Sequence, residues 1–556
     1  MIDREVYIQG TVTLVIKATG VPADTPAIQY GLTDAFNCFP LQSLFTTMQM
    51  TINNASVSTN LQDIKDLIVR MNDKRMLNRF NSMTPSMPDD AFATYNLGVG
   101  ANNNPLGSYI NNGYDIDFLS RGSWKLDSLV STRTNADGTN PVATLISTNP
   151  AQLFTIAVTA TFTEPFLALS PWINTRACND AGLVGINNIS ANFNVDSSCK
   201  KIWNTANVAV NGGATAWTSY ITSISLGTSA QSTGLNNMKL LFNFLSLQPE
   251  QYAKISTRNI VPFLDYPRFI SPSTSQNTLT PAGTATATSQ LTSQSLQLSQ
   301  VPDLILIAAR IPIAQQGLGT GTPNFNAGSF LSINNISVNF NNASGLLASA
   351  TQQDLFQMSV ANGSNQNWLE FSGFANENPV QADFATNLGF PTTLGTTGSL
   401  LVLNPVSQFS LPSYLSASSL GQYQFQFNLT VTNQYPISVT PEIVVVLVNS
   451  GVFATVQGTS TISTGILTKD LVLKTKEENP VPHLDTKEYE RLVGGKLINR
   501  GMSNVLRMVR HRKRIKHALD GGAGYSAGAM VAGGPMAHHG VGHVKRGHPR
   551  LMKHLL

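Results

Sequence analysis

Residues 422–432 alternate without a break. Tyr423, Phe425, Phe427, Leu429 and Val431 fall on one face, and Gln422, Gln424, Gln426, Asn428, Thr430 and Thr432 on the other. A period of two commits such a segment to an antiparallel strand with one face buried and one face wet. Residues 153–163 repeat the pattern, with Phe154, Ile156, Val158 and Phe162 opposite Thr155, Thr159, Thr161 and Thr163, and Val6 to Ile16 reads as a first strand. Leu304 to Ala308 and Ile443 to Val448 are continuous apolar runs, the pattern of strands buried on both sides. Helices are few. Leu61, Ile64, Leu67, Ile68 and Met71 have helical spacing, and Thr59 with Gln62 fits a capping box. A second short helix is expected over Ala350–Met358. Residues 99–113, 271–300 and 391–399, rich in small and neutral polar residues, are expected to be long loops. Many short strands with long loops and no repeat of 40–50 residues favour a sandwich or jelly roll over a propeller.

The chain has 556 residues, room for several domains at about 100–200 residues each. Only 12% are charged, against about 25% in an average soluble domain. Asn, Gln, Ser, Thr and Gly stand in their place, while 42% hydrophobic residues supply ample surface to bury. All 8 histidines lie at or beyond His483, which removes Ser-His-Asp and Cys-His catalysis and His-ligated zinc from the body. The pairs Asp89–Asp90 and Asp115–Asp117 read as solvated turns, and no phosphate-cradling glycine loop occurs. No catalytic residue, metal, cofactor or small-molecule substrate is therefore expected. Cys38, Cys178 and Cys199 lack metal-ligand spacing and read as buried free thiols, with a Cys178–Cys199 bridge as the alternative. Met1 to Val6 opens no signal-like apolar stretch, and no apolar run approaches the roughly 18 residues of a membrane span.

Two further patterns organise the chain. Residues 185–194 (GINNISANFN) and 332–341 (SINNISVNFN) agree at 8 of 10 positions; TINNAS begins at Thr51, and NNAS recurs at Asn341. Gln62–Asp63 and Gln353–Asp354 then open helices. These echoes suggest two similar sandwiches without fixing a boundary. Charge is also divided: from residue 481 onward 14 Lys and Arg face 4 Asp and Glu, a net +10 that leaves −6 for the body. In the tail, Ile498, Met502, Val505, Leu506 and Val509 form one helical stripe, followed by Arg507, Arg510, Arg512, Lys513, Arg514 and Lys516, and later by Lys545, Arg546 and Arg550. Such a cluster can bind nucleic-acid phosphates by counterion release. Without Phe or Trp to stack bases it is not expected to read sequence.

The run Asp34-Ala35-Phe36-Asn37-Cys38-Phe39-Pro40-Leu41-Gln42-Ser43-Leu44, leading to Thr51-Ile52-Asn53-Asn54 and a helix, resembles the first roll of double-jelly-roll viral major capsid proteins, closest in appearance to those of virophages and Polinton-like viruses in the adenovirus lineage. Glu164-Pro165-Phe166 to Pro171-Trp172, the strand Val301 to Arg310, and Asn341 to Leu347 with Gln353-Asp354-Leu355 agree with it in order. The resemblance implies a mainly β protein: two tandem eight-stranded jelly rolls, a few short helices, and a basic, partly helical or flexible C-terminal tail. The divisions expected are 1–237, 238–476 and 477–556, with the first boundary as late as about 290 if the echo is followed. It further implies a non-enzymatic major capsid protein that self-assembles as pseudo-hexameric trimers into an icosahedral shell. Its partners would be neighbouring trimers, penton and minor capsid proteins, the genome through the tail, and a maturation protease. Leu492-Val493-Gly494-Gly495 and Leu519-Asp520-Gly521-Gly522 fit the Leu-x-Gly-Gly pattern, so cleavage after Gly495 or Gly522 is expected of such a protease. Trp172, Trp203, Trp217 and Trp368 are candidate anchors at subunit contacts, each also readable as a core residue. The location implied is the virion, assembled inside the host cell and not secreted.

Two alternatives fit parts of the same pattern. One is a single-jelly-roll capsid protein with a protruding domain, against which the repeated motifs and the length argue. The other is a secreted β-rich adhesin or lectin, for which Asn-x-Ser sites at Asn54, Asn188, Asn335 and Asn342 are suitable but the basic tail is not.

Overall fold

The alternating segments become strands where the pattern places them. The computed structural model describes residues 2–21, 34–73, 126–135, 152–172, 182–199, 201–205, 221–227, 234–244, 246, 258–315, 328, 330–376, 393–412, 415–434, 438–456, 458–465 and 467–468. The first half contains β1 (Ile2–Val21), β2 (Asp34–Phe36), α1 (Pro40–Ser43), β3 (Phe45–Ile52), β4 (Ala55–Thr59), α2 (Leu61–Met71), β5 (Ser128–Asn135), β6 (Gln152–Pro165), β7 (Ile189–Val195), β8 (Trp203–Thr205), β9 (Ile221–Leu226) and β10 (Leu235–Phe244). One sheet runs β10-β1-β6-β5, with β9 also on β1; the others are β4-β3-β7 and the pair β2-β8. Val12, Val158 and Phe162 from the large sheet meet Met48, Met50 and Phe45 in one core.

The second half contains β11 (Arg258–Asp265), β12 (Arg268–Ser271), β13 (Thr288–Thr292), β14 (Leu296–Gln300), β15 (Leu304–Arg310), β16 (Ser332–Phe340), β17 (Ala343–Leu346), α3 (Gln352–Ala361), α4 (Trp368–Ser372), β18 (Phe374–Asn376), β19 (Thr393–Gly395), β20 (Leu401–Leu403), β21 (Ser419–Thr432), β22 (Glu442–Val456), β23 (Thr459–Thr464) and β24 (Leu467–Thr468). Its sheets are β11-β22-β15-β20, with β12 and β23 on β22, and β13-β21-β16-β17, with β14 and β24 on β21. The chain crosses between the two sheets from β12 to β13, β14 to β15, β15 to β16, β20 to β21 and β21 to β22, which is jelly-roll winding.

The apolar runs explain how the halves meet. On β15, Ile305, Ile307 and Ala309 point into the second sandwich, while Leu306 and Ala308 join the core of the first. On β22, Ile443, Val445 and Leu447 face the second sandwich, and Val444, Val446 and Val448 the first. The two strands pair directly, Leu306 with Val446 and Ile307 with Val445. A strand that buries both faces cannot keep a polar side, so the polar half of the pattern is gone.

Several expectations are corrected. The helix at Leu61–Met71 starts from Asn60 without a side-chain cap; Thr59 Oγ1 instead donates to Ala168 O at 2.9 Å, so no capping box forms. Ala350–Met358 becomes α3, whose Thr351–Asp354 pair is a true capping box. Residues 271–300 are not one loop: β13 and β14 both pair with β21, burying Leu291, Leu296 and Leu298. Within 391–399, Thr393–Gly395 pairs with Phe374–Asn376. The echoes also separate. Asn53-Asn54 and Asn341-Asn342 turn equivalent hairpins, each with a left-handed first Asn (φ 54° and 52°) and each leading to a helix. The longer match joins unlike strands. Residues 189–195 flank β3 as β21 flanks β16, whereas 332–340 are β16 itself.

Leu306→Ala and Ile307→Ala open cavities on opposite faces of the shared sheet, each at a cost of about 2–5 kcal/mol. Both are expected to lower one common calorimetric transition. Two transitions, each moved by only one variant, would show the sandwiches to be energetically separate.

Candidate assembly site: the join between the two rolls

The join between the two rolls decides how rigid the body is. At the start of α2, Asp63 lies in the first turn, where the helix dipole favours a carboxylate. Its Oδ2 meets Arg268 Nη1 at 2.7 Å, and its Oδ1 accepts from Arg310 Nη2. Arg310 Nε donates to Glu442 Oε1 at 2.8 Å. A helix of the first roll is thereby tied to β12, β15 and β22 of the second. Asp354, which holds the same place in α3, does a local job instead, bonding Thr351 at the surface.

One turn further along α2 lies a second cluster. Asp66 Oδ2 accepts from Lys201 Nζ at 3.0 Å, and Lys65 Nζ stands 3.4 Å from Oδ1. Burial alone would raise the Asp66 carboxyl, but Lys201, Lys65 and Arg70 overcome it and hold the group well below the ordinary carboxylate range. Lys65 also donates to Ser43 Oγ at 2.7 Å and to Cys38 O at 3.1 Å. Arg70 lies 4.0 Å over the Phe330 ring and donates to Gly328 O at 2.6 Å, crossing to the second roll. Glu164 is fully enclosed and accepts from Leu41 N at 2.7 Å and Gln42 N at 3.0 Å, tying β6 to α1. Burial pushes its carboxyl up to about 7, against the pull of those donors.

Neutral bonds complete the join. Asn53 Nδ2 donates to Ser460 Oγ at 2.9 Å, and Ser460 N donates to Asn54 Oδ1 at 2.7 Å, so the first hairpin turn docks on β23. Thr455 Oγ1 reaches Val184 O at 2.6 Å, and Asn365 N reaches Arg70 O at 2.9 Å. Gly458 (φ +86°) turns the chain between β22 and β23, and a Cβ there would stand 2.3 Å from Asn187 Nδ2. A larger residue would push the Asn187 amide aside and strain the left-handed backbone.

The residues singled out in the sequence divide as follows. Trp172 and Trp203 are core residues, not contact anchors; Trp368 is 39% exposed; Trp217 lies outside the described residues. Cys38 and Cys199 are buried thiols outside any disulfide, and Cys178 lies outside the described residues. So do Asp89–Asp90, Asp115–Asp117, the basic residues from Arg507 to Arg550, Gly495 and Gly522. The sequence does not announce the ionic join. Its members are scattered from Asp63 to Glu442, and only Asp63 and Arg310 fall in recognisable motifs, neither of which signals an ion pair.

Two sandwiches sharing a doubly buried sheet make this a double-jelly-roll protein. Residues 1–245 match the family described as Sputnik virophage major capsid protein first domain, and residues 266–451 match the major capsid protein V20 C-terminal domain. The chain belongs to the virophage major capsid protein family; it is a structural component of the virion, and its copies assemble into the capsid. It is 28% identical over 512 residues to Sputnik virophage capsid protein V20, covering 89% of this chain and 75% of that one. The fold is similar to that in the cryo-EM structure of the Sputnik virophage (TM-score 0.61, 24% identity, 88% of this chain and 87% of that one). It is also similar to the mavirus major capsid protein (TM-score 0.56, 15% identity, 85% and 86%).

Removing one partner of a buried ion pair strands the others, at about 3–5 kcal/mol. Asp63→Asn is expected to destabilise by that order in denaturant unfolding; an effect below about 1 kcal/mol would deny the join its role. Glu164 yields a pH prediction. Between about pH 4.5 and 7 the unfolded chain has released this proton and the folded chain keeps it, so the group's contribution to stability falls as pH rises. The stability difference between wild type and Glu164→Gln should therefore change across that window by roughly 3 kcal/mol. A constant difference would place the carboxyl at its ordinary value.

Proposed function

We propose that three copies stand side by side as a trimer of pseudo-sixfold outline, and that such trimers tile an icosahedral shell. The observation that carries this reading is the β15–β22 sheet, whose two buried faces weld two comparable lobes into one subunit. Three two-lobed subunits joined head to tail close a ring of six lobes. We place the division between the rolls in residues 245–257, between β10 and β11, slightly beyond the 237/238 expected from length. The tail from about residue 477 faces the interior, where Arg507, Arg510, Arg512, Lys513, Arg514, Lys516, Lys545, Arg546 and Arg550 meet genome phosphates. Penton and minor capsid proteins complete the shell, assembly takes place within the host cell, and a viral protease trims the tail after Gly495 or Gly522. No reaction is assigned to the chain itself.

Light scattering of the purified protein is expected to give the mass of three copies, and negative-stain microscopy six-lobed particles or shells. A monomer retained on a sugar column would replace this reading with the lectin. Trp368 stacks edge-on against Phe356 at 5.4 Å with much of its ring uncovered, as a contact anchor should. Trp368→Ala is expected to raise the concentration needed for assembly about tenfold. Replacing Arg510, Arg512, Lys513, Arg514 and Lys516 together by Gln should weaken DNA binding and flatten its salt dependence, by about 0.9 in slope for each phosphate that the tail no longer neutralises. Equal slopes would leave the tail without a genome role.

A further inference from the structure

The core of the first roll is not closed on every side. Between β10 of one sheet and β7 of the other lies an open cavity of about 320 Å³, lined by Ile8, Phe45, Phe193, Val195, Met238 and Lys239 among others. Val195 at its mouth is 40% exposed. Along β10, Leu235, Leu240 and Phe242 pack on the core, whereas Met238 is 38% and Phe244 74% exposed, and Leu241 on the opposite face is 38% exposed. Met238 is held beside the cavity by Gly10, where a Cβ would stand 2.2 Å from its Sδ. Among the described residues β10 pairs with β1, at the margin of its sheet.

Monomeric proteins rarely leave large apolar side chains gathered around an open core, and such patches mark contact surfaces. Among the described residues lining the cavity Lys239 alone is charged, in keeping with the depletion of charge at the centre of protein interfaces. The occupant follows from the chain's role, since a capsid subunit must bury surface against copies of itself.

We propose that the β10 edge and its cavity are a contact between copies of this chain, into which an apolar side chain of the neighbouring copy inserts. This deepens the assembly reading and rests on it for the existence of a neighbour, though not on the number three. Met238→Asp and Phe244→Asp, made separately, place a carboxylate at a position already partly in water. Each is expected to raise the concentration needed for assembly about tenfold or more, while thermal unfolding of the free subunit moves by no more than about 2 °C. Unchanged assembly in both variants overturns the contact. Should either variant fail to fold, hydrogen exchange on the unaltered protein decides. Slowing of residues 235–244 by about tenfold or more in shells relative to the free subunit supports the contact, and equal rates overturn it. A small apolar molecule extracted from the cavity of the free subunit, with assembly unaffected by either variant, would also overturn it. Wild-type particles of a stoichiometry other than three would remove the trimer alone, and the exchange of β10 would still judge the contact.

Discussion

The β15–β22 pair is a single sheet segment that serves two cores. Because Leu306 and Val446 belong to one sandwich and Ile307 and Val445 to the other, neither sandwich can loosen without exposing the backbone neighbours of the other. Interiors are packed too densely to deform continuously. The angle between the lobes is therefore set by packing and not by a linker. A shell built from many copies needs that property more than high stability, since an error of angle in each subunit accumulates over the lattice.

Apolar contact alone is poor at fixing register, because burial has no direction. The ionic join supplies the direction. Asp63 faces Arg268 and Arg310 from the end of α2, and Arg70 leaves the same helix to reach Gly328 O and the face of Phe330. Burying such charges costs desolvation, which Coulomb attraction offsets only when geometry is good and the remaining donors find partners. The hairpin turn at Asn53-Asn54 adds a neutral pair of bonds to Ser460 at another point of the join. Two points of attachment resist rotation as well as sliding.

The sequence was most legible where one strand faces one core. The alternation of 422–432 is the burial pattern of β21 residue for residue, and the apolar runs announced the shared sheet without revealing what lay on each side. It was least legible in two kinds of place. Residues 271–300 read as loop because Ser, Thr and Gln swamp a short signal, although Leu296 and Leu298 do alternate with Gln297 and Ser299. The ionic join was invisible because pairing between residues 63, 268, 310 and 442 is a product of topology, which no local spacing encodes. The capping box at Thr59 failed for a related reason: the hydroxyl that would serve the helix found a carbonyl, Ala168 O, brought by a distant segment. The echo of 185–194 in 332–341 overstated homology of place, while the shorter Asn-Asn turns marked it truly.

The scarcity of charge now has a structural meaning. On the outer face of the first large sheet, Thr11 meets Thr161 at 3.0 Å, Thr13 meets Thr159 at 3.1 Å, and Gln9 Nε2 donates to Thr163 Oγ1 at 3.1 Å. In the second roll Thr288 meets Thr432 and Thr278 meets Thr440, both at 2.7 Å. Cross-strand hydroxyl pairs of this kind hold a wet sheet face together without the ion pairs other proteins use there. A face of hydroxyls and amides accepts bridging water readily and repels no copy of itself. Charge is instead placed where it is paired and oriented, at the join of the rolls, and where it is in excess, beyond residue 481. Copies crowded side by side at lattice density would multiply any surplus on their flanks, so a shell subunit is better served by neutral flanks.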